Sequence, residues 1–199
     1  MKGEKTMANK TCRPLTDQEF EQIIDLLKSG YIGKDNVIHR PNPQAALAIW
    51  MEGVLGLRVQ DCTKVTLSNF VRQNNKDWYI QIVEKKTGKK RNFYVTDEIK
   101  DNIFNYCIDN GIGRKEPIIK CGVRNIQKHL KAICEYLDLE NVGTHSSRKR
   151  FSNNIYESTN DLYLLSTILQ HSSVEITKRY VTVNPTNIKN ALVVNSCSF

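Results

Sequence analysis

The chain has 199 residues, 40% hydrophobic and 25% charged, which suits one good-sized core or two small ones and excludes a low-complexity chain. Lys and Arg number 29 against 21 Asp and Glu, a net charge of +8 with a pI near 9.2, and such a balance favours an anionic partner, nucleic acid foremost. No apolar run approaches the ~18 residues that span a bilayer, and the opening MKGEKTMANK has no apolar centre of the kind a signal peptide needs.

Residues 1–12 read as a flexible basic lead-in. Thr16-Asp17-Gln18-Glu19 is a capping box. It opens a helix with Phe20, Ile23, Ile24 and Leu27 on one face, ended by Gly30. A loop is expected from there to Pro43. Asn42 then caps a helix with Pro43 at its first position, and Ala45 to Leu55 is apolar nearly all round, which predicts a central buried helix closed by Gly56. LRVQDCTKVTL reads as a short helix leading into a strand near Thr66–Phe70. Trp78–Val83 and Asn92–Val95 alternate in part and predict a hairpin. Its connection is basic: five of the seven residues from Lys85 to Arg91 are Lys or Arg. Thr96-Asp97-Glu98 starts a helix closed by Gly111. From Val123 onward Ile126, Leu130, Ile133 and Leu137 form a helical stripe, with Arg124, Lys128 and Lys131 on the other faces. Two further helices are expected from Thr144 to Gln170, and Ser172 with Glu175 reads as a further capping box. The fold class is therefore mainly α with a small antiparallel β-sheet, an α+β arrangement. One domain is expected over 13–183, followed by a tail at 184–199 that is able to dock on a neighbouring copy.

The six cysteines, at 12, 62, 107, 121, 134 and 197, form no CxxC pair, and their gaps match no metal-knuckle spacing. Cys62, Cys107 and Cys134 fall in apolar helical patterns, where cysteine behaves as a small hydrophobe. Reduced thiols in a cytoplasm are the expectation, with no metal and no cofactor.

Chemistry concentrates between Thr144 and Tyr180. His145 precedes Arg148 by three residues, which sets both on one side of a helix; His171 follows Arg148 by 23 and Tyr180 follows His171 by nine. Arg58, just after Gly56-Leu57, supplies a second guanidinium. Two arginines can clamp both non-bridging oxygens of one phosphate and stabilise the charge that grows on it in a transition state. Lys86 lies in the hairpin turn, where an ammonium can reach a leaving oxygen as general acid. A phenol is a poor nucleophile at its ordinary pKa of about 10, so Tyr180 needs neighbouring cations and a base to act as one. Lys85, Lys89, Lys90 and Arg91 read as phosphate-contacting charges, as do Arg124, Lys128, Lys149 and Arg150.

In this order and framing (RPLTDQEF, GLRVQD, EKKTGKK, THSSR, ILQH and Tyr180), the chain resembles the tyrosine recombinases of the phage integrase family. The resemblance covers roughly Arg13 to Val183. It implies a fold like the recombinase catalytic domain. It also implies catalytic roles for Arg58, Lys86, His145, Arg148, His171 and Tyr180, and a supporting role for Asp61 at the acidic position after the first arginine. The implied reaction is site-specific cleavage and rejoining of double-stranded DNA through a 3′-phosphotyrosyl link, leading to integration, excision or inversion, with neither metal nor ATP. Implied partners are further copies, a dimer on a site and a tetramer in synapsis, with accessory DNA-bending proteins. The implied setting is a prokaryotic cytoplasm, at the nucleoid or on a phage or mobile element. Only 57 residues precede Arg58, so the chain is similar to catalytic-domain-only members such as those that invert fimbrial promoter switches. Gln170 stands where the family usually has glycine, and Ser147 where leucine is common. A non-catalytic DNA-binding regulator of the same fold, or a type IB topoisomerase-like enzyme, would show much of the same pattern.

Overall fold

The computed structural model describes residues 12–74 and 76–181, so most of the basic lead-in and the whole 184–199 tail lie outside the described residues. The chain forms two compact units, Met1–Phe151 and Ser152–Phe199, described separately.

In the first unit Thr16 caps α1 (Asp17–Ser29): its hydroxyl accepts from the Glu19 N–H at 3.2 Å, and the Glu19 carboxylate accepts from the Thr16 N–H at 2.9 Å. Such a cap is worth about 1 kcal/mol. Gly30 ends the helix at φ 74°. The expected loop contains a two-stranded antiparallel ribbon, β1 (Tyr31–Ile32) and β2 (Ile38–His39), with Asn36 at φ 61° in its turn. Strands of two residues are too short for any alternation to show. Asn42 caps α2 (Pro43–Leu55) with Pro43 in the first turn, and Gly56 ends it in the left-handed conformation. α2 is buried on nearly every face, and α1 and α5 (Val123–Tyr136) pack against it and against each other. Gly53 permits the closest approach, since a Cβ there would lie 2.4 Å from the Phe20 ring. Each fully buried Ile or Leu in this cluster contributes about 1.5–3 kcal/mol.

Arg58 stands at the N-cap of the short helix α3 (Val59–Cys62). The expected strand at Thr66–Phe70 starts later. Thr66 hydrogen-bonds the Asn69 side chain and turns the chain through a 3-10 segment, Leu67–Asn69, before β3 (Phe70–Gln73). A local side-chain bond of this kind competes with strand pairing. β3, β4 (Asp77–Val83) and β5 (Lys90–Val95) form one antiparallel sheet in the order β3-β4-β5, with Ile80 opposite Phe93 and Ile82 opposite Arg91. Its inner face bears Phe70, Ile80, Ile82 and Val95. Phe104 of α4 (Asp97–Asp109) packs edge-on against Phe70 and Trp78, at 5.4 and 5.6 Å between centroids. Thr96 caps α4, as its sequence predicts.

Helix α6 (Thr144–Thr159) begins in the first unit and ends in the second. The second unit adds α7 (Leu162–Leu169), capped by Asp161, and α8 (Val174–Lys178). The predicted capping box at Ser172 is not formed. Ser173 is the cap residue, without a side-chain cap bond, and that register puts Ile176, which has no acceptor, where the box needs a carboxylate or amide. Among the described residues no helix is long and apolar enough to cross a membrane.

Candidate active site

In the first unit the site is built around the carbonyl of Gly56. The left-handed turn at this residue, φ 58° and ψ 28°, points its oxygen at two guanidiniums: Arg148 Nη1 donates to it, and so does Arg91 Nη1 at 3.4 Å. Arg148 is 0% and Arg91 1% exposed. Arg58 Nη1 lies 2.6 Å from Glu84 Oε2, and Arg91 Nη1 is 3.6 Å from Glu84 Oε1. Three arginines therefore share a fully buried carboxyl and one carbonyl.

Burial alone would raise the Glu84 carboxyl. Hydrogen bonds from Arg58 and Thr87, with the charges of Arg58 and Arg91, outweigh burial and hold Glu84 below the usual carboxylate range. Burial and then the charge of Arg148 bring Arg91 down to about 10, against the opposing pull of Glu84, so Arg91 stays charged at neutral pH. Glu52 is different. Burial pushes it well above its ordinary value despite the Val59 N–H bond and the charge of Arg148. Its Oε1 accepts from the Val59 N–H at 2.8 Å, fixing the start of α3 behind Arg58.

His145 and Arg148 occupy the same end of α6. Partial burial of the imidazole, then the charges of Arg148, Arg58, Lys86 and Lys149, hold His145 below its ordinary value. The residue as a whole stays exposed, and the four cations around it favour the neutral ring, the form that accepts a proton. Lys86 lies exposed in the β4–β5 turn. Asp61, 3% exposed, accepts from the Lys85 N–H at 2.9 Å and so fastens that turn to α3.

In the second unit His171 and Tyr180 come together, with ring centroids 4.8 Å apart and planes tilted by 44°. His171 Nδ1 shares a hydrogen bond of 2.9 Å with the buried hydroxyl of Thr177. Gln170, the residue before it, ends α7 in the left-handed conformation at φ 51° and ψ 40°. That geometry is the one glycine adopts without cost.

Of the residues expected to contact DNA phosphates, Lys85, Lys89, Lys90, Arg124 and Lys128 are exposed. Arg91 is corrected by its burial, and Lys149 and Arg150 are half-buried with partners of their own. Arg91 is buried with its guanidinium 4.5 Å over the Phe93 ring. Lys149 donates to the Cys12 carbonyl at 2.6 Å. Arg150 pairs with Asp17 at 2.7 Å and lies 4.2 Å over the Phe20 ring. Each spends its charge inside the first unit. Glu84 and Arg91 had a detectable sequence signal. Ile80, Ile82 and Glu84 continue one inward-facing row, and Arg91, Phe93 and Val95 another. Charges that extend apolar rows are charges the fold buries and must pair. Thr177 and the Gly56 carbonyl had no such signal.

The chain matches the phage integrase family model over residues 13–187, and it belongs to that family. Its fold is that of a tyrosine recombinase catalytic domain. Over 146 residues it is 30% identical to the probable integrase/recombinase YoeC of Bacillus subtilis (strain 168), covering 69% of this chain and 77% of that protein. Among solved structures it is similar to the XerH site-specific recombinase bound to palindromic difH substrate. That match has a TM-score of 0.69 and 16% identity, and covers 94% of this chain but 54% of that one. The catalytic domain of bacteriophage HP1 integrase matches with a TM-score of 0.58 and 18% identity, covering 92% of this chain and 95% of that one. The chain thus spans about half the length of the XerH recombinase and nearly all of the HP1 catalytic domain.

Proposed function

We propose that this protein cleaves and rejoins double-stranded DNA at specific sites through a covalent link to Tyr180. The observation that supports it best is the cluster of Arg58 with the buried Arg91 and Arg148. Arg58 and Arg91 face the Glu84 carboxyl, and Arg91 and Arg148 both donate to the Gly56 carbonyl, so three guanidiniums converge on one place. Such a site favours an anion, and paired guanidiniums suit the two non-bridging oxygens of a phosphodiester.

In the proposed reaction Arg58 and Arg148, joined by His171, hold the scissile phosphate. Neutral His145 takes the phenolic proton as Tyr180 Oη attacks phosphorus. The P–O5′ bond breaks, Lys86 gives its proton to O5′, and the products are a 3′-phosphotyrosyl diester and a free 5′-hydroxyl. Resealing reverses each transfer. Because the diester bond is exchanged rather than hydrolysed, the sequence needs neither ATP nor a metal. Lys85, Lys89, Lys90, Arg124 and Lys128 contact flanking phosphates, and Asp61 steadies the Lys86 turn.

We extend the proposal to the assembly: two copies on a site, four in synapsis, with accessory DNA-bending proteins, working at the nucleoid of a prokaryotic cytoplasm or on a mobile element. Residues 13–183 act as the catalytic domain and 184–199 as a contact to a neighbouring copy.

The test is incubation with nicked duplexes drawn from DNA flanking the gene. A covalent protein–DNA adduct that Tyr180→Phe abolishes is expected. Binding without any adduct would leave a non-catalytic regulator. Relaxation of plasmid lacking such a site, without recombinant products, would leave a topoisomerase-like enzyme.

A further inference from the structure

We propose that Glu84 is a positioning residue that ties the Arg58 guanidinium to the turn bearing Lys86, so that the phosphate clamp and the leaving-group acid are set as one piece. This rests on the reading of Arg58 as a clamp and Lys86 as the acid.

The turn from Val83 to Lys90 is short, basic and exposed at Lys85, Lys86, Lys89 and Lys90. Four ammonium groups so close in sequence repel one another and favour many turn conformations over one. Glu84 opposes that spread from inside. It ends the inward row of β4 and is 0% exposed. Its Oε2 faces Arg58 Nη1 at 2.6 Å and accepts the Thr87 hydroxyl at 2.9 Å. Its own backbone closes the turn: the N–H donates to Lys89 O at 3.0 Å, and the carbonyl accepts from Gly88 N–H at 2.9 Å. On the other side of Lys86, the Lys85 N–H donates to Asp61 of α3, the helix that Arg58 caps. Lys86 is therefore bracketed at both neighbours, Lys85 and Thr87, and both brackets lead to α3 and Arg58.

Charge matters as well as shape. A single carboxylate oxygen that faces a guanidinium and also holds a hydroxyl does so through two charge-assisted contacts. A neutral amide in its place keeps the outline but weakens both. Losing the contact to Thr87 would free the turn while leaving Arg58 paired; losing the Glu84 charge would loosen both ends.

A duplex whose scissile 5′-bridging oxygen is replaced by sulfur separates the two effects, since a thiolate leaves without a proton. The measured quantity is the single-turnover rate of adduct formation on oxygen and sulfur duplexes of one sequence. Lys86→Ala should lose on the order of a hundredfold or more on oxygen and recover on sulfur. Thr87→Val, at an exposed residue that folding tolerates, should lose roughly three- to tenfold on oxygen, the scale of one hydrogen bond, and recover on sulfur. Glu84→Gln should lose more on oxygen and recover only in part. Equal losses on both duplexes for Thr87→Val and Glu84→Gln, or no loss on oxygen, overturn the proposal. If Lys86→Ala fails to recover on sulfur, the assignment of Lys86 as the acid falls and this proposal falls with it. Absence of any wild-type adduct on either duplex instead refutes the recombinase reading itself.

Discussion

Replacing Gly56 by alanine strikes the residue on which the first unit's site is hung. Its φ of 58° lies in the left-handed region, where a Cβ costs about 1–2 kcal/mol. A Cβ built there falls 2.5 Å from Phe151 Cε1 and 2.6 Å from Cδ1, below the 3.0 Å that real Cβ contacts respect. Moving the ring aside costs a further ~1–3 kcal/mol. Gly56→Ala should thus lose about 2–5 kcal/mol, a large share of the 5–15 kcal/mol typical of a folded domain. Urea unfolding measures the loss. The two contributions separate in a double-mutant cycle, because Phe151→Ala removes the ring but not the backbone strain. The double variant should be roughly 1–3 kcal/mol more stable than the sum of the single losses predicts. The Gly56 carbonyl also accepts from Arg91 and Arg148, so adduct yield should fall even in buffers that keep the variant folded. A loss below about 0.5 kcal/mol, the usual scatter of surface changes, would falsify the argument for the left-handed turn.

Gln170→Gly should raise stability by up to about 1 kcal/mol by relieving a left-handed non-glycine residue, and a fall in the thermal midpoint would show that the side chain of Gln170 matters more than its backbone. The depressed His145 imidazole implies an acid-side sensitivity: its contribution is whole above the ordinary value of 6.5 and is lost as pH falls from there through the lowered folded value, because the unfolded chain then binds more protons. Denaturation between pH 7 and pH 5 should therefore be shallower in pH for His145→Asn than for wild type, and parallel curves would count against it. Lys89→Ala should lower the slope of log affinity against log salt by about one without changing stability, whereas Arg91→Ala, which removes a buried cation, should unfold the chain at lower urea. Identical behaviour of the two variants would mean the burial of Arg91 is irrelevant.

Local signals in the chain predicted the helices well. Thr16, Asn42-Pro43 and Thr96 start helices, and Gly30 and Gly56 end them, where backbone chemistry demands. Family resemblance singles out Arg58, Lys86, His145, Arg148, His171 and Tyr180, and the structure sets the charges of Arg58, Lys86 and Arg148 near His145 and pairs the rings of His171 and Tyr180. What supports them was not legible. KKTGKKR looks uniformly solvated because four lysines dominate it, yet strand alternation turns Arg91 inward and leaves Lys90 beside it exposed. The β1–β2 ribbon leaves no mark on the sequence pattern, because strands of two residues carry no period. Ser173 displaced Ser172 as a cap because helix start is a matter of one residue, and propensity does not resolve one residue.

The arginine cluster also predicts how the free protein responds to anions. Arg58, Arg91 and Arg148 converge on the Glu84 carboxyl and the Gly56 carbonyl, and their like charges repel one another. An oxyanion that binds between them stabilises the folded state by an amount that grows with its concentration, about 2.7 kcal/mol at a hundred times the dissociation constant. Sulfate stabilises proteins generally by exclusion, so the informative quantity is the difference between wild type and Arg58→Ala across a sulfate series. Wild type should gain more, and the excess should saturate, as site binding does and exclusion does not. Chloride at equal ionic strength should not reproduce the saturating part. If both proteins rise in parallel and without saturation, the cluster holds no anion site of its own, and the phosphate clamp would have to be assembled by DNA rather than waiting for it.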